Sequence, residues 1–459
     1  MLRSLLKQSS ALRNITKQSA SLATCTRQIR GAQASLIEAS EESFQATNKL
    51  YTVRPVAFWM DKILEKENKR PLNVSSTQYQ HASVNKTMSD SYMEEYLPFK
   101  SSPTLLDEYI TTGGKVRIGK ILEDLDALAG AISYKHMDTF VDSPPLTVVT
   151  ASVDRMELLM PNTVEDFKLS GHVAYVGKSS MEVFVKLETI PQYDPATVES
   201  SEFPPNDFIA KPTPNTVLFA RITMVAVDSA TGKSVRVNPL ITRNDEEKKI
   251  SEYAQDCKSR KRLAGESALN KAPPTADERL TLHDIYMKYS DKEVAPENAV
   301  WMEDMTMQSV FLMQPQDRNI HNKVFGGYLM RRAYELAHAT GSVFAKSQVS
   351  LLSLDEIVFK KPVPVGSLLN LHSQIIYSQG EPSKTFQVSV TAEVTDVETG
   401  TTDLTNTFHF SLASKEKPLR QILPRTYSES MKYIEGKRRR EHGDEAKTQL
   451  LSLMCNNSN

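Results

Sequence analysis

The stretch NIHNKVFGGYLMRRAYE, Asn319 to Glu335, sets a polar Asn-Ile-His-Asn cluster just before Phe325, Gly326 and Gly327, and then before an apolar-periodic run. Glycine has no Cβ, so a Gly-Gly pair opening a helix lets a ligand or another chain approach the helix N-terminus closely. The first backbone N–H groups there have no intrahelical acceptor and can take a carbonyl oxygen or an anion. A plainer reading stands beside this one: the glycines let the helix plug a sheet.

The residues that follow must form the helix presenting that cluster. In YLMRRAYELAHAT, Leu329, Ala333, Leu336, Ala337 and Thr340 share one face, and helical projection turns Glu335 to the opposite one. Further on, TFQVSVTAEV puts Phe386, Val388, Val390, Ala392 and Val394 on one side and polar residues on the other, a strict period of two. LLNLHSQIIY before it and TNTFHFSLA after it read the same way, with DVETG as the last turn, so this region is a meander with one face covered.

The earlier half repeats that order. TVVTASVDRMELL, FKLSGHVAYVG, MEVFVKLETI and VLFARITMVAVDSATG read as strands, and matching Asp154 to Asp355 or Tyr175 to Tyr377 gives offsets of 201 and 202. A helix precedes them, with Ile118, Ile121, Leu122, Leu125, Leu128, Ala129 and Ile132 in one apolar stripe; Asp124 and Asp126 flank its two edges, and periodicity does not choose between them. Strand-like runs SYMEEYLPF and MTMQSVFLM come before the two helices. Each half therefore reads strand, helix, then four strands: an α+β fold with one helix packed on a curled antiparallel sheet, twice. The insertion PQYDPATVESSEFPPNDFIAKPTPN reads as a surface loop.

The expected boundaries are an N-terminal extension at 38–84, an N-terminal half at 85–242, a charged helical linker at 243–295, a C-terminal half at 296–415 and a solvated or frayed tail at 416–459. Residues 1–37 hold no Asp or Glu but six basic residues, Arg3, Lys7, Arg13, Lys17, Arg27 and Arg30, with Leu2, Leu5, Leu6, Leu12 and Ile15 able to share a helical face; that is the composition of a mitochondrial presequence. Without it the charge balance is −7, which gives nucleic acid no footprint. No run approaches the roughly 18 to 20 apolar residues of a membrane span. Cys25, Cys257 and Cys455 lie far apart with no disulfide or metal spacing, as in a reducing compartment, and CKSRKR around Cys257 reads as a solvated helix face.

NIHNKVFGGYLMRRAYE, followed by FKKPVPVGSLL, resembles the hotdog-fold acyl-CoA thioesterases, whose helix start reads Asn-x-x-Gly-x-x-Phe-Gly-Gly and whose next strand region carries Phe-x-x-Pro-Val-x-x-Gly. The resemblance spans about residues 85 to 430 and implies a tandem (double) hotdog, each half a long helix wrapped by a curled antiparallel sheet. Single-hotdog relatives carry an Asp eight positions after the first glycine, where this chain has Tyr334. Aligning Gly119 with Gly327 puts Asp126 at that position in the N-terminal half. Relatives usually have Asn or Asp where this chain has Lys323, and Asn322 or His321 just before it would replace that group.

The resemblance implies one composite site between the halves that hydrolyses fatty acyl-CoA in the mitochondrial matrix. Asp126 would orient or deprotonate water, Asn322 or His321 would hold water or thioester, and Phe325, Gly326, Gly327 and Gly119 would bind substrate and oxyanion. Lys360 and Lys361 are candidates for the CoA phosphates. No cofactor or metal is expected, coenzyme A entering as part of the substrate, and exposed sheet edges make a homo-oligomer the expected assembly. Two other classes fit the same fold: a hydratase or dehydratase acting on CoA-linked enoyl groups, and a non-catalytic acyl-CoA sensor.

Overall fold

The computed structural model describes residues 84–456 apart from 138–145, 162, 192, 194–203, 206–207, 229–230, 265–268, 270, 290 and 316–323. The expected presequence at 1–37 and nearly all of the expected N-terminal extension lie outside the described residues, as do His321, Asn322 and Lys323. The chain runs β1 (Lys86–Thr87), α1 (Met88–Ser91), β2 (Met93–Leu97), α2 (Pro103–Tyr109), α3 (Ile118–Met137), β3 (Leu146–Val153), β4 (Met156–Glu157), β5 (Asp166–Val176), β6 (Ser180–Ile190), β7 (Thr216–Asp228) and β8 (Leu240–Ile241). Helices α4 (Asp245–Ala264) and α5 (Ala276–Tyr289) follow. A second series then runs β9 (Ala299–Trp301), β10 (Thr306–Leu312), α6 (Gly326–Ala345), β11 (Val349–Leu354), β12 (Ile357–Val358), β13 (Leu368–Ser378), β14 (Thr385–Thr395), β15 (Thr402–Ser414), β16 (Gln421–Leu423) and α7 (Tyr427–Asn456).

The two series match in length: α3 and α6 have 20 residues each, β5 and β13 have 11, β6 and β14 have 11, and β7 and β15 have 13. They form two six-stranded antiparallel sheets, ordered β12-β3-β7-β6-β5-β2 and β10-β13-β14-β15-β11-β4. Each sheet thus holds one strand from the other half. Ile357 and Val358 pair with Val153 and Ser152, while Met156 and Glu157 pair with Leu354 and Ser353. The break after β3 is where the sequence alternation through TVVTASVDRMELL carries the chain across to the other sheet.

The apolar rows of the strands face α3 and α6. Phe386, Val388, Val390 and Ala392 are fully buried, as are Ile121, Leu122, Leu125 and Leu128 of α3. The outer row of β14 departs from the one-face expectation, because Gln387 is also fully buried. Its cover is α7, which buries Tyr433 and Ile434, lays the Tyr433 ring 5.1 Å from that of Tyr377 and lies close to β13 and β14. The residues expected to form a solvated tail are therefore, up to Gly443, in part the second layer of the C-terminal half. Helix α4 does the same on the other sheet: Ala254 and Cys257 are buried, and Ala254 packs with Ala174, Phe184 and Ala210. Cys257 is thus not on a solvated face. Both helices lack a broad apolar stripe because each buries few side chains, against an outer sheet face that is itself partly polar. The proline-rich insertion is also more than surface loop, since Tyr193 and Phe208 pack on Tyr96 and Tyr92 beside β2. Among the described residues, no helix is long and apolar enough to cross a membrane.

The fit of α7 is tightest at Gly436, where a Cβ would stand 2.6 Å from Tyr377 Cβ. Gly436→Leu is expected to lift α7 from the sheet and cost about 1–3 kcal/mol, read by urea unfolding. At Gly130 in α3 a Cβ meets nothing within 4 Å. Gly130→Ala is expected to be neutral or to stabilise by up to about 1 kcal/mol through helix propensity.

Candidate active site

Helices α3 and α6 cross where α6 has no room for a side chain at its first two positions. At Gly326 a Cβ would lie 2.9 Å from Asp126 Oδ2 and 3.4 Å from the Phe359 ring; at Gly327 it would lie 2.9 Å from Glu123 Cα and 3.0 Å from the Glu123 carbonyl oxygen. That approach brings Asp126, fully buried on α3, to the first turn of α6. The Gly327 N–H donates to Asp126 Oδ2 at 2.6 Å, and the Thr150 hydroxyl on β3 donates to Oδ1 at 2.8 Å. A carboxylate from one half therefore caps a helix of the other, where the N–H groups and the helix dipole favour negative charge.

Burial still dominates the electrostatics. It pushes the Asp126 carboxyl up to about 6, against the hydrogen bonds from Thr150 and Gly327, while the Glu123 charge adds to the rise. At neutral pH the group is ionised yet basic enough to take a proton from water, the balance a general base needs.

Only one of the two glycines recurs on the other side of the crossing, with Ile118 at the position of Gly326. An offset of 208 relates Gly119 to Gly327, Glu123 to Arg331 and Asp126 to Tyr334. A Cβ at Gly119 would lie 3.0 Å from Arg331 Cγ and 3.5 Å from Tyr334 Cδ1. Positions 123 and 331 meet each other, through an ion pair of 3.0 Å. Gly119 thus does not join Asp126. It sits about 10 Å along α3, on the mirror side, where Tyr334 is buried beside Phe410 and His338.

Other sequence candidates take definite places. Asp124 accepts the Tyr109 hydroxyl of α2 at 2.6 Å, which separates it from Asp126. Glu335 is held by Arg117 at 2.6 Å, Arg331 at 3.2 Å and Arg332 at 3.4 Å. Phe325 is the N-cap residue of α6, in extended backbone. Lys361 pairs with Asp403 at 2.8 Å, and Lys360 is exposed beside Phe359. His321 and Asn322 lie outside the described residues. Sequence reasoning missed Thr150 and Phe359. A hydroxyl interrupting the apolar run TVVTASV was the signal for the first, whereas Phe359 reaches Gly326 through the exchanged strand and its Phe359 N–H bond to the Ala151 carbonyl.

No family model matches the sequence. The chain is similar to mitochondrial acyl-coenzyme A thioesterase 9 of Homo sapiens, 38% identical over 393 residues covering 83% of this chain and 84% of that one. It is also similar to mitochondrial acyl-coenzyme A thioesterase 10 of Mus musculus, 37% identical over 393 residues with the same two coverages. Among solved structures, an acyl-CoA hydrolase from Staphylococcus aureus is 25% identical over 34% of this chain and 98% of that one, with a TM-score of 0.31.

The buried carboxylate has a thermodynamic signature. Because the folded state holds the Asp126 proton more tightly than the unfolded chain does, this group's contribution falls as pH rises from about 4 to about 6 and then levels off. Asp126→Asn removes that dependence, so above pH 6 the variant is expected to match or exceed the parent by up to about 3 kcal/mol. The difference should close as pH falls toward 4 in urea titrations; a variant less stable at neutral pH would contradict the argument.

Proposed function

The chain belongs to the acyl-coenzyme A thioesterase family, and from that premise we propose that it hydrolyses fatty acyl-CoA to free fatty acid and coenzyme A at one composite site between two hotdog halves. The observation that carries this reading is the Asp126 carboxylate of the N-terminal half, seated 2.6 Å from the Gly327 N–H of the C-terminal half. Each half supplies a part that the other lacks. Tyr334 stands where a second carboxylate would be, so the mirror crossing has no base.

In the proposed reaction Asp126 takes a proton from water as its oxygen attacks the thioester carbonyl. Charge developing on the carbonyl oxygen is met by the remaining N–H groups of the first turn of α6 and by Asn322 or His321 from the preceding segment. Collapse of the tetrahedral species breaks the C–S bond, and the coenzyme A thiolate recovers the proton from Asp126. Thr150 fixes the carboxylate rotamer through Oδ1. Phe325 and the Phe359 ring border the glycines, where the acyl thioester would lie, and Lys360 is the exposed cation nearest in sequence for the phosphates.

The location follows the same premise. The relatives bear mitochondrial names, and the acid-free, basic residues 1–37 support import of this chain to the matrix. Self-association through open sheet edges is part of the same reading.

Asp126→Asn is expected to fold and to lose thiol release from acyl-CoA by roughly a hundredfold or more. In the parent, kcat/KM should rise with pH through about 6 and then level, as Asp126 ionises. Unchanged turnover in the variant would overturn the assignment.

A further inference from the structure

Resting on the reading of Asp126 as the base, we infer that Arg331, which touches no reacting atom, is a positioning residue that holds Glu123 so that Asp126 keeps its place and its charge. Glu123 precedes Asp126 by three residues on α3, and so lies on the same face of the helix. Its backbone is the surface on which Gly327 rests. Arg331 follows Gly327 by one turn of α6 and puts Nη1 on Glu123 Oε2 at 3.0 Å, while its Nε bonds Glu335 Oε1 at 3.2 Å. Both members of the Glu123 pair are mostly shielded, with side chains 16% exposed for Arg331 and 24% for Glu123, so solvent screens them weakly.

Asp126 is fully buried, so the groups facing it decide its state. From β3 comes the neutral Thr150 hydroxyl, and from α6 the Gly327 N–H at the positive end of the helix. From its own helix comes Glu123, the neighbouring charge that strengthens Asp126's hold on its proton. Lys120 stands 3.9 Å from the Glu123 carboxylate, farther than Arg331 and on the same helix. Arg331 is thus the close cation that both neutralises Glu123 and clamps α3 to α6 beside the glycines. Positions 123 and 331 are equivalent under the offset of 208 and meet on the axis relating the two halves. In a pair of identical chains the same residue would face itself there, whereas the two unlike halves of a fused chain can set an acid against a base.

The test is the pH dependence of kcat/KM for acyl-CoA hydrolysis, read by thiol release. Arg331→Met is expected to move the acidic limb upward by about half a unit or more, with the loss at low pH largely recovered at high pH. Arg331→Lys should restore the limb in part, and Glu123→Gln combined with Arg331→Met should bring it back. Glu123→Gln alone should move the limb downward, which keeps the inference testable if Arg331→Met does not fold. A limb that stays put in Arg331→Met or Glu123→Gln, or a rate lowered equally at every pH, overturns it. Asp126→Asn separates the two readings. If that variant turns over normally, the base assignment fails; if it abolishes the limb while Arg331→Met leaves the limb unmoved, the Arg331 inference alone fails.

Discussion

The hydrogen bond from the Gly327 N–H to Asp126 is made across the crossing of two helices, and most of the surrounding structure exists to permit it. A helix N-terminus can take a carboxylate from another helix only if nothing projects between them, which the glycines at 326 and 327 ensure. The carboxylate then loses its water, and the cost is partly returned by Thr150 and the helix end. Both sheets hold this crossing in place, since the buried rows of β3, β5, β13 and β14 wrap the two helices.

At the helix crossing the asymmetry between the halves comes down to a few positions within a frame that repeats. The two sheets, the lengths of α3 and α6 and the exchanged strands correspond one to one, yet Asp126 faces Tyr334 in the correspondence and Glu123 faces Arg331. A symmetric crossing would bury a carboxylate on each of its two sides and set like charges on the axis. Duplication within one chain removes that constraint: one crossing keeps the acid, and the other fills its space with a phenol ring packed at an angle against Phe410.

Much of this was legible in the sequence because it was written in periodicity and repetition. The alternation from Phe386 to Val394 and the stripe from Ile118 to Ile132 named their buried faces, whereas Asp126 was favoured over Asp124 only by the resemblance to the thioesterases, which aligns Gly119 with Gly327. What escaped notice had no periodic signal. Helices α4 and α7 each bury a handful of residues among many charges, so Cys257 and Tyr433 looked like surface. The exchange of β4 and β12 is set by two-residue strands, too short for any pattern, and with it went Phe359. Thr150 is one hydroxyl in an apolar run, and its partner is fixed by tertiary packing.

The exchanged strands also impose an order in time. As the chain folds, β3 has an empty place beside it until Ile357 and Val358, about two hundred residues further along, come to pair with it. Until then the strand bearing Thr150 is an open edge able to recruit foreign strands. The same pairing that closes this edge also brings Phe359 to Gly326, so sheet closure and the surroundings of Asp126 are completed in one event.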